Sequence, residues 1–205
     1  FKDKTKDVVI VGGGPTGIAL HALLSSFDVK NVLLVERYSN GPSKHPKAHF
    51  INRRTMEILR DRNAFGFGEN TTVAKSVREE MSDVVNWRHF RYVTGILDEK
   101  NEELGSVDHF ATERMEIGET TASTESVAHF PQHRLMPMLW ENALEKAKKR
   151  RENYDDDDDD DAFVRGDEVV RVERVMLSSR SVKSSGSSRG GSKNRCRVTL
   201  KSGKV

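Results

Sequence analysis

Apolar residues form an unbroken run at Val8–Val11, return at helical spacing, then run together again at Val32–Val35 within a segment from Val29 to Val35. The first run predicts a buried strand, and the last a second strand of a parallel pair. Between them, Ile18, Ala19, Ala22, Leu23 and Ser25 share one side of a helix predicted over Ile18–Ser25. After Tyr38 the pattern lapses into a loop broken by Gly41, Pro42 and Pro46. Asn52 is then an N-cap for a helix from about Arg53 to Asn63, with Met56, Leu59 and Arg60 on one face. Residues 72–87 have no decisive period. His89–Val93 alternates as a strand, and residues 98–128 read as loop with one short strand. The best helix of the second half is Leu135–Lys149, with Met136, Leu139, Trp140, Ala143 and Ala147 at helical spacing and Pro137 in its first turn. Val164–Met176 and Arg195–Leu200 predict a hairpin or meander.

The joint between the first strand and first helix carries the clearest chemistry. Gly12-Gly13-Gly14-Pro15-Thr16-Gly17 fits Gly-x-Gly-x-x-Gly, and Glu36 closes the second strand 19 residues after Gly17. Gly12 permits the tight turn, Gly14 lets backbone approach a pyrophosphate, and Gly17 lets the helix pack against the sheet. The pyrophosphate then meets the unpaired amides and positive end of the helix. Glu36 stands where a carboxylate accepts from ribose hydroxyls and repels a 2′-phosphate, an exclusion that neighbouring Arg37 weakens. The unit predicts a dinucleotide site.

Composition narrows the partners. The 205 residues are 35% hydrophobic and 32% charged, with a mean hydropathy of −0.66. A net charge of +2 supplies no field that points to nucleic acid or to an anionic membrane. No apolar run reaches the length of a membrane span. Cys196 is the only cysteine, so an internal disulfide is excluded and a reducing, intracellular compartment is expected. The first strand starts too near Phe1 for a signal peptide, and a chain opening on Phe rather than Met reads as a fragment, which leaves a removed targeting segment open. The seven aspartates of 155–161 lack the glycine and ligand spacing of a calcium loop and read as a solvated insertion. Residues 178–194 read as a Ser/Gly/Arg-rich excursion.

His45 and His49 share an i, i+4 spacing, as do His129 and His133, but Pro46 and Pro131 argue against helical presentation, and no metal is expected. Cys196 is expected to pack within a strand rather than act as a nucleophile.

Together, VVIVGGGPTG, VLLVER, HPKAHFINRRTMEILR and PQHRLMPMLWENAL resemble the N-terminal part of the flavin-dependent aromatic hydroxylases, especially the phenol and chlorophenol hydroxylase branch. The resemblance runs from Asp7 to about Leu144 and continues loosely into 164–200. It implies an α/β, Rossmann-type FAD-binding domain with a parallel sheet and an added β-hairpin or meander. Residues 1–205 would form only part of that domain, and the substrate domain would be absent. Gly12, Gly14, Pro15, Thr16 and Gly17 would cradle the FAD pyrophosphate, Glu36 would hold the adenosine ribose, and Arg37 would lie beside the adenine. Lys47 stands where the family usually has an arginine reaching the flavin phosphate or ribityl region, and lysine keeps the charge without the planar fork. Arg54 matches the arginine of the Asn-x-Arg stretch, and Gln132 the glutamine that contacts the ribityl chain. Plainer readings stand beside these: Lys47 as a solvated cation, Arg54 as helix surface, and Gln132 as a helix cap.

The implied chemistry is reduction of FAD by NADPH or NADH, followed by oxygen-dependent hydroxylation of a small phenol-like aromatic. No catalytic residue is assigned. Another flavoenzyme of the same dinucleotide fold, or a non-catalytic flavin-binding module, are the alternatives.

Overall fold

The computed structural model describes residues 5–39, 47–68, 70–96, 101–108, 123–154, 162–175 and 195–203. The aspartate run at 155–161, the 178–194 excursion and His45 lie outside them. The chain divides into two compact units, one formed by residues 1–42 and 143–205, the other by residues 43–142.

The first unit is built on β1 (Val8–Val11), α1 (Pro15–Ser26) and β2 (Val32–Glu36). β1 and β2 pair in parallel with Val8 opposite Val32 and Val11 opposite Val35. Apart from Glu36 at the end of β2 their residues are β-branched or leucine, and Ile10, Val32, Leu34 and Val35 are buried while Val11 is exposed. The α1 face toward the sheet is Ile18, His21 and Ala22, all buried, while Ala19, Leu23 and Ser25 are half-buried. A third parallel strand, Phe163–Arg165, joins the free edge of β2, with Leu34 opposite Phe163. The predicted hairpin is thereby divided. Phe163–Arg165 belongs to the parallel sheet, and Val169–Val175 pairs antiparallel with Arg195–Leu200 as a separate ribbon, with a register shift between Val169 and Arg171. Gly166, at a φ of +80°, turns the chain between the two sheets. Cys196 is exposed on that ribbon, which corrects its expected role as a packing residue.

The second unit carries β3 (Phe50–Ile51), α2 (Arg53–Leu59), α3 (Arg62–Phe65), β4 (Gly66–Phe67), β5 (Thr71–Thr72), α4 (Val73–Glu80), β6 (His89–Val93), β7 (Glu103–Asp108) and β8 (Ala128–His129). Its core is Ile51, Met56, Leu59, Ala64, Phe65, Val73, Val77, Phe130, Leu135, Met136, Leu139 and Trp140. Asn52 caps α2 by accepting from the Thr55 amide at 2.8 Å. The single helix expected over 53–63 is broken. Asp61 accepts from the Ala64 amide at 2.7 Å and starts α3 afresh, because an aspartate satisfies first-turn amides better than it continues a helix. Arg60, expected on the apolar face with Met56 and Leu59, is exposed at this break. β6 pairs with β7, and β3 with β8.

The long helix α5 (Gln132–Tyr154) begins three residues before the expected Leu135. The Phe130 and Gln132 amides donate to the His49 and Ala48 carbonyls at 2.7 and 2.8 Å, fixing the entry immediately after Pro131. Pro137 thus sits inside the helix rather than in its first turn, and the helical bond to the carbonyl of exposed His133 is lost.

Candidate functional site

The glycine turn has the backbone geometry that its sequence demands. Gly12 takes a φ of +103°, a conformation that side chains disfavour, and its amide donates to the Val35 carbonyl at 2.8 Å. Gly14 is the N-cap of α1 in an extended conformation (φ −72°, ψ −177°), and Pro15 takes the first helical position. A Cβ added to Gly12 or Gly14 would meet no atom within 4 Å, so both face open space. Gly17 differs: a Cβ there would stand 1.9 Å from the Gly12 carbonyl oxygen and 3.4 Å from the Ile10 side chain. The glycines therefore serve two purposes. Gly17 allows the helix to close on the turn, whereas Gly14 leaves the outer surface bare.

Glu36 is turned toward this turn. Its Oε2 accepts from the Gly13 amide at 2.6 Å and its Oε1 from the Tyr38 amide at 2.9 Å. A carboxylate offers about four acceptor positions, so two backbone donors fix its orientation and leave capacity for hydroxyl donors. No acidic residue occupies the first turn of α1. First-turn amides lack partners within a helix, and the macrodipole adds positive potential there. Open backbone, undiluted positive potential and an oriented carboxylate suit an adenosine diphosphate moiety in charge and in hydrogen-bonding sense. Thr16 is exposed on the first turn, and the Arg37 guanidinium lies 4.7 Å over the Tyr38 ring.

Lys47, Arg54 and Gln132 all belong to the second unit. Lys47 is exposed in coil ahead of β3. Arg54 projects from the first turn of α2 and pairs with Glu57 at 2.9 Å. The Ser123 hydroxyl also donates to Glu57, at 2.6 Å. That bond, followed by the Arg54 bond, lowers the Glu57 pKa below the usual carboxylate value. Gln132 is the first residue of α5 and half-buried.

Sequence reasoning missed His21. It is buried in α1 with its ring 4.4 Å from that of Phe163, and its Nδ1 has no hydrogen-bond partner among the described residues. Burial, then the charge of Arg150, lowers its pKa to about 4, so it packs as a neutral ring. Its helical spacing between Ile18 and Ser25 was the available signal. The rings of His49 and His129 approach to 4.6 Å across β3 and β8, a pairing that neither i, i+4 spacing indicated. Among the described residues no group of three or more His, Cys, Asp or Glu side chains stands ready for a metal ion. No helix there is long and apolar enough to cross a membrane.

Similarity to known proteins agrees with this geometry. The 2,4-dichlorophenol 6-monooxygenase of Cupriavidus pinatubonensis (strain JMP 134 / LMG 1197) is 37% identical over 92 residues, 40% of this chain and 15% of that protein. The phenol 2-monooxygenase of Pseudomonas sp. (strain EST1001) is 37% identical over 81 residues, 38% of this chain and 12% of that protein. The chain thus spans a small fraction of the curated relatives it matches. Among solved structures, the flavin-dependent monooxygenase PieE in complex with FAD and substrate aligns with a TM-score of 0.62 and 27% identity, over 85% of this chain and 26% of that one. Aklavinone-11 hydroxylase with FAD and aklavinone shares the fold, with a TM-score of 0.59 and 21% identity, over 98% of this chain and 30% of that one. The family described as FAD binding domain matches residues 5–173. With most of its length so matched and a bare glycine turn facing an oriented Glu36, the chain belongs to the FAD binding domain family.

Proposed function

We propose that the chain holds FAD through its adenosine diphosphate end and forms the FAD-binding portion of an NAD(P)H-dependent monooxygenase acting on phenol-like aromatics. The observation that carries the cofactor reading is the open space over Gly12 and Gly14 beside the inward-held Glu36 carboxylate. In this reading the Gly14, Thr16 and Gly17 amides receive the pyrophosphate, while Pro15, which has no N–H, fixes the first helical turn. Glu36 accepts from the ribose, and Arg37 lies beside the adenine. Lys47, Arg54 and Gln132 carry the charge and amide that the family resemblance assigns to the flavin end. Bound FAD would supply the two-electron chemistry and oxygen activation that no side chain provides. The reductant is NADPH or NADH, and the other substrates are oxygen and a small aromatic ring. The named activities of the dichlorophenol and phenol monooxygenases support that substrate class.

Two experiments test the reading. Titration of the chain with FAD should show saturable quenching of flavin fluorescence that is abolished in Gly14→Val; equal quenching by that variant overturns the cofactor assignment. Grafting the matched segment of this chain into the dichlorophenol monooxygenase should preserve flavin content and chlorophenol-dependent NADPH oxidation. Flavin retained with turnover lost would favour the alternative of another flavoenzyme on the same fold.

A further inference from the structure

The second unit contains a cavity of about 420 Å³ that the FAD reading does not use, lined by Arg60, Arg62, Asn70, Lys75, Arg78 and Glu125, with Thr72 and Ala74 completing the wall. We propose that this cavity binds a ligand bearing a phosphate or diphosphate group. Four cations from three helices and their flanks line it with one carboxylate, Glu125, while Glu57 and Glu79 outside the lining act on Arg60 and Lys75. Glu125 is buried, with its side chain 7% exposed, and is already committed. Arg78 grips its Oε2 through Nε and Nη2 and donates from Nη1 to the Ser126 hydroxyl at 3.1 Å. Arg60 reaches Oε1 only through Nε, at 3.5 Å.

This arrangement separates structural charge from available charge. The Arg78–Glu125 pair fixes the wall. The two terminal nitrogens of Arg60 make no hydrogen bond to a described residue, so its planar fork remains a bidentate donor. The Lys75 ammonium is 3.9 Å from Glu79, beyond hydrogen-bond reach, and has no other partner among the described residues. The Asn70 amide adds a donor without a partner among the described residues. The cations stand on different elements: Arg60 follows α2, Arg62 opens α3 and Lys75 lies in the first turn of α4. Donors arriving from several directions match a tetrahedral, multiply charged anion better than a planar monocarboxylate. The volume lies within the range that small organic ligands occupy, leaving room for a group attached to the phosphate.

Calorimetric titration with inorganic pyrophosphate tests the proposal, performed in the Gly14→Val chain so that the glycine turn contributes nothing. Saturable binding that weakens with added salt is expected, and R60Q/K75Q in the same background should weaken it at least about tenfold. ADP provides the second arm. Tighter binding than pyrophosphate identifies a nucleotide as the source, and equal or weaker binding identifies the phosphate group alone. Absence of binding heat, or undiminished affinity in the double variant, overturns the proposal. If the double variant does not fold, K75Q alone, on the exposed side of α4, decides by the same comparison. Because FAD binding is measured separately on the unmodified chain, failure here leaves that reading intact, and the reverse.

Discussion

Replacing Gly17 and Gly14 separately by alanine should divide the glycine turn into a structural and a ligand-facing half. The Gly17 methyl would stand 1.9 Å from the Gly12 carbonyl oxygen, where real Cβ atoms essentially never approach within 3.0 Å. Helix and turn must separate by roughly 1 Å, an overpacking of about 3 kcal/mol. Alanine gains up to about 1 kcal/mol in helix propensity, which offsets only part of the clash. The remaining 2 kcal/mol or so lowers Tm by about 4–8 °C in a chain of this size. Gly14→Ala has no such clash: its φ of −72° is ordinary and nothing lies within 4 Å. Its stability should stay within about 0.5 kcal/mol of the parent. The methyl nevertheless enters the space where a pyrophosphate would approach, so FAD affinity should fall at least about tenfold, equivalent to 1.4 kcal/mol. Thermal denaturation of the flavin-free chain and fluorescence titration with FAD read the two effects independently. Equal Tm for the two variants, or native FAD affinity in Gly14→Ala, refutes the division.

Three further outcomes follow from the same geometry. Glu36→Ala leaves the Gly13 and Tyr38 amides without their acceptor and removes the ribose partner, so FAD affinity should drop about tenfold or more in fluorescence titration; unchanged affinity would remove Glu36 from the site. Because the folded pKa of His21 is depressed to about 4 from 6.5, its stabilising effect is complete above pH 6.5 and fades as pH falls toward 4, by up to about 3 kcal/mol. Urea midpoints from pH 7 to 4.5 should therefore fall less steeply in His21→Leu, and parallel profiles would contradict this. Glu125→Ala leaves Arg78 and Arg60 facing each other, and since Arg78 is partly exposed the loss should be about 2 kcal/mol, below that of a fully buried pair; an unaltered denaturation midpoint would mean that the pair is dispensable.

The β1–α1–β2 segment was legible because its information is local. Four apolar residues, a glycine at positive φ, a second glycine under a carbonyl and an acid at the end of the next strand lie within Val8–Glu36. Asn52 was legible for the same reason, since an N-cap acts over three residues. Asp61 offered an equally local signal, but the apolar spacing of Met56 and Leu59 suggested that the helix continued past it. The start of α5 was misplaced because it depends on the Ala48 and His49 carbonyls, more than eighty residues away in sequence. Likewise no pattern around Glu125 announces Arg78, 47 residues earlier, and no periodicity distinguishes a strand in the parallel sheet (Phe163–Arg165) from its neighbour in the ribbon (Val169–Val175).

This difference bears on what each part of the chain can do. A dinucleotide turn must be written in adjacent residues, because its recognition elements are backbone amides whose direction depends on local φ and ψ. Side-chain recognition has no such requirement. The cations around Glu125 converge because α2, α3 and α4 are joined by short connections. Their ligand chemistry becomes visible only when committed donors, such as those of Arg78, are separated from uncommitted ones, such as those of Arg60. Two of the four cations, Arg60 and Lys75, keep donors that no described residue uses, beside a carboxylate already held by Arg78.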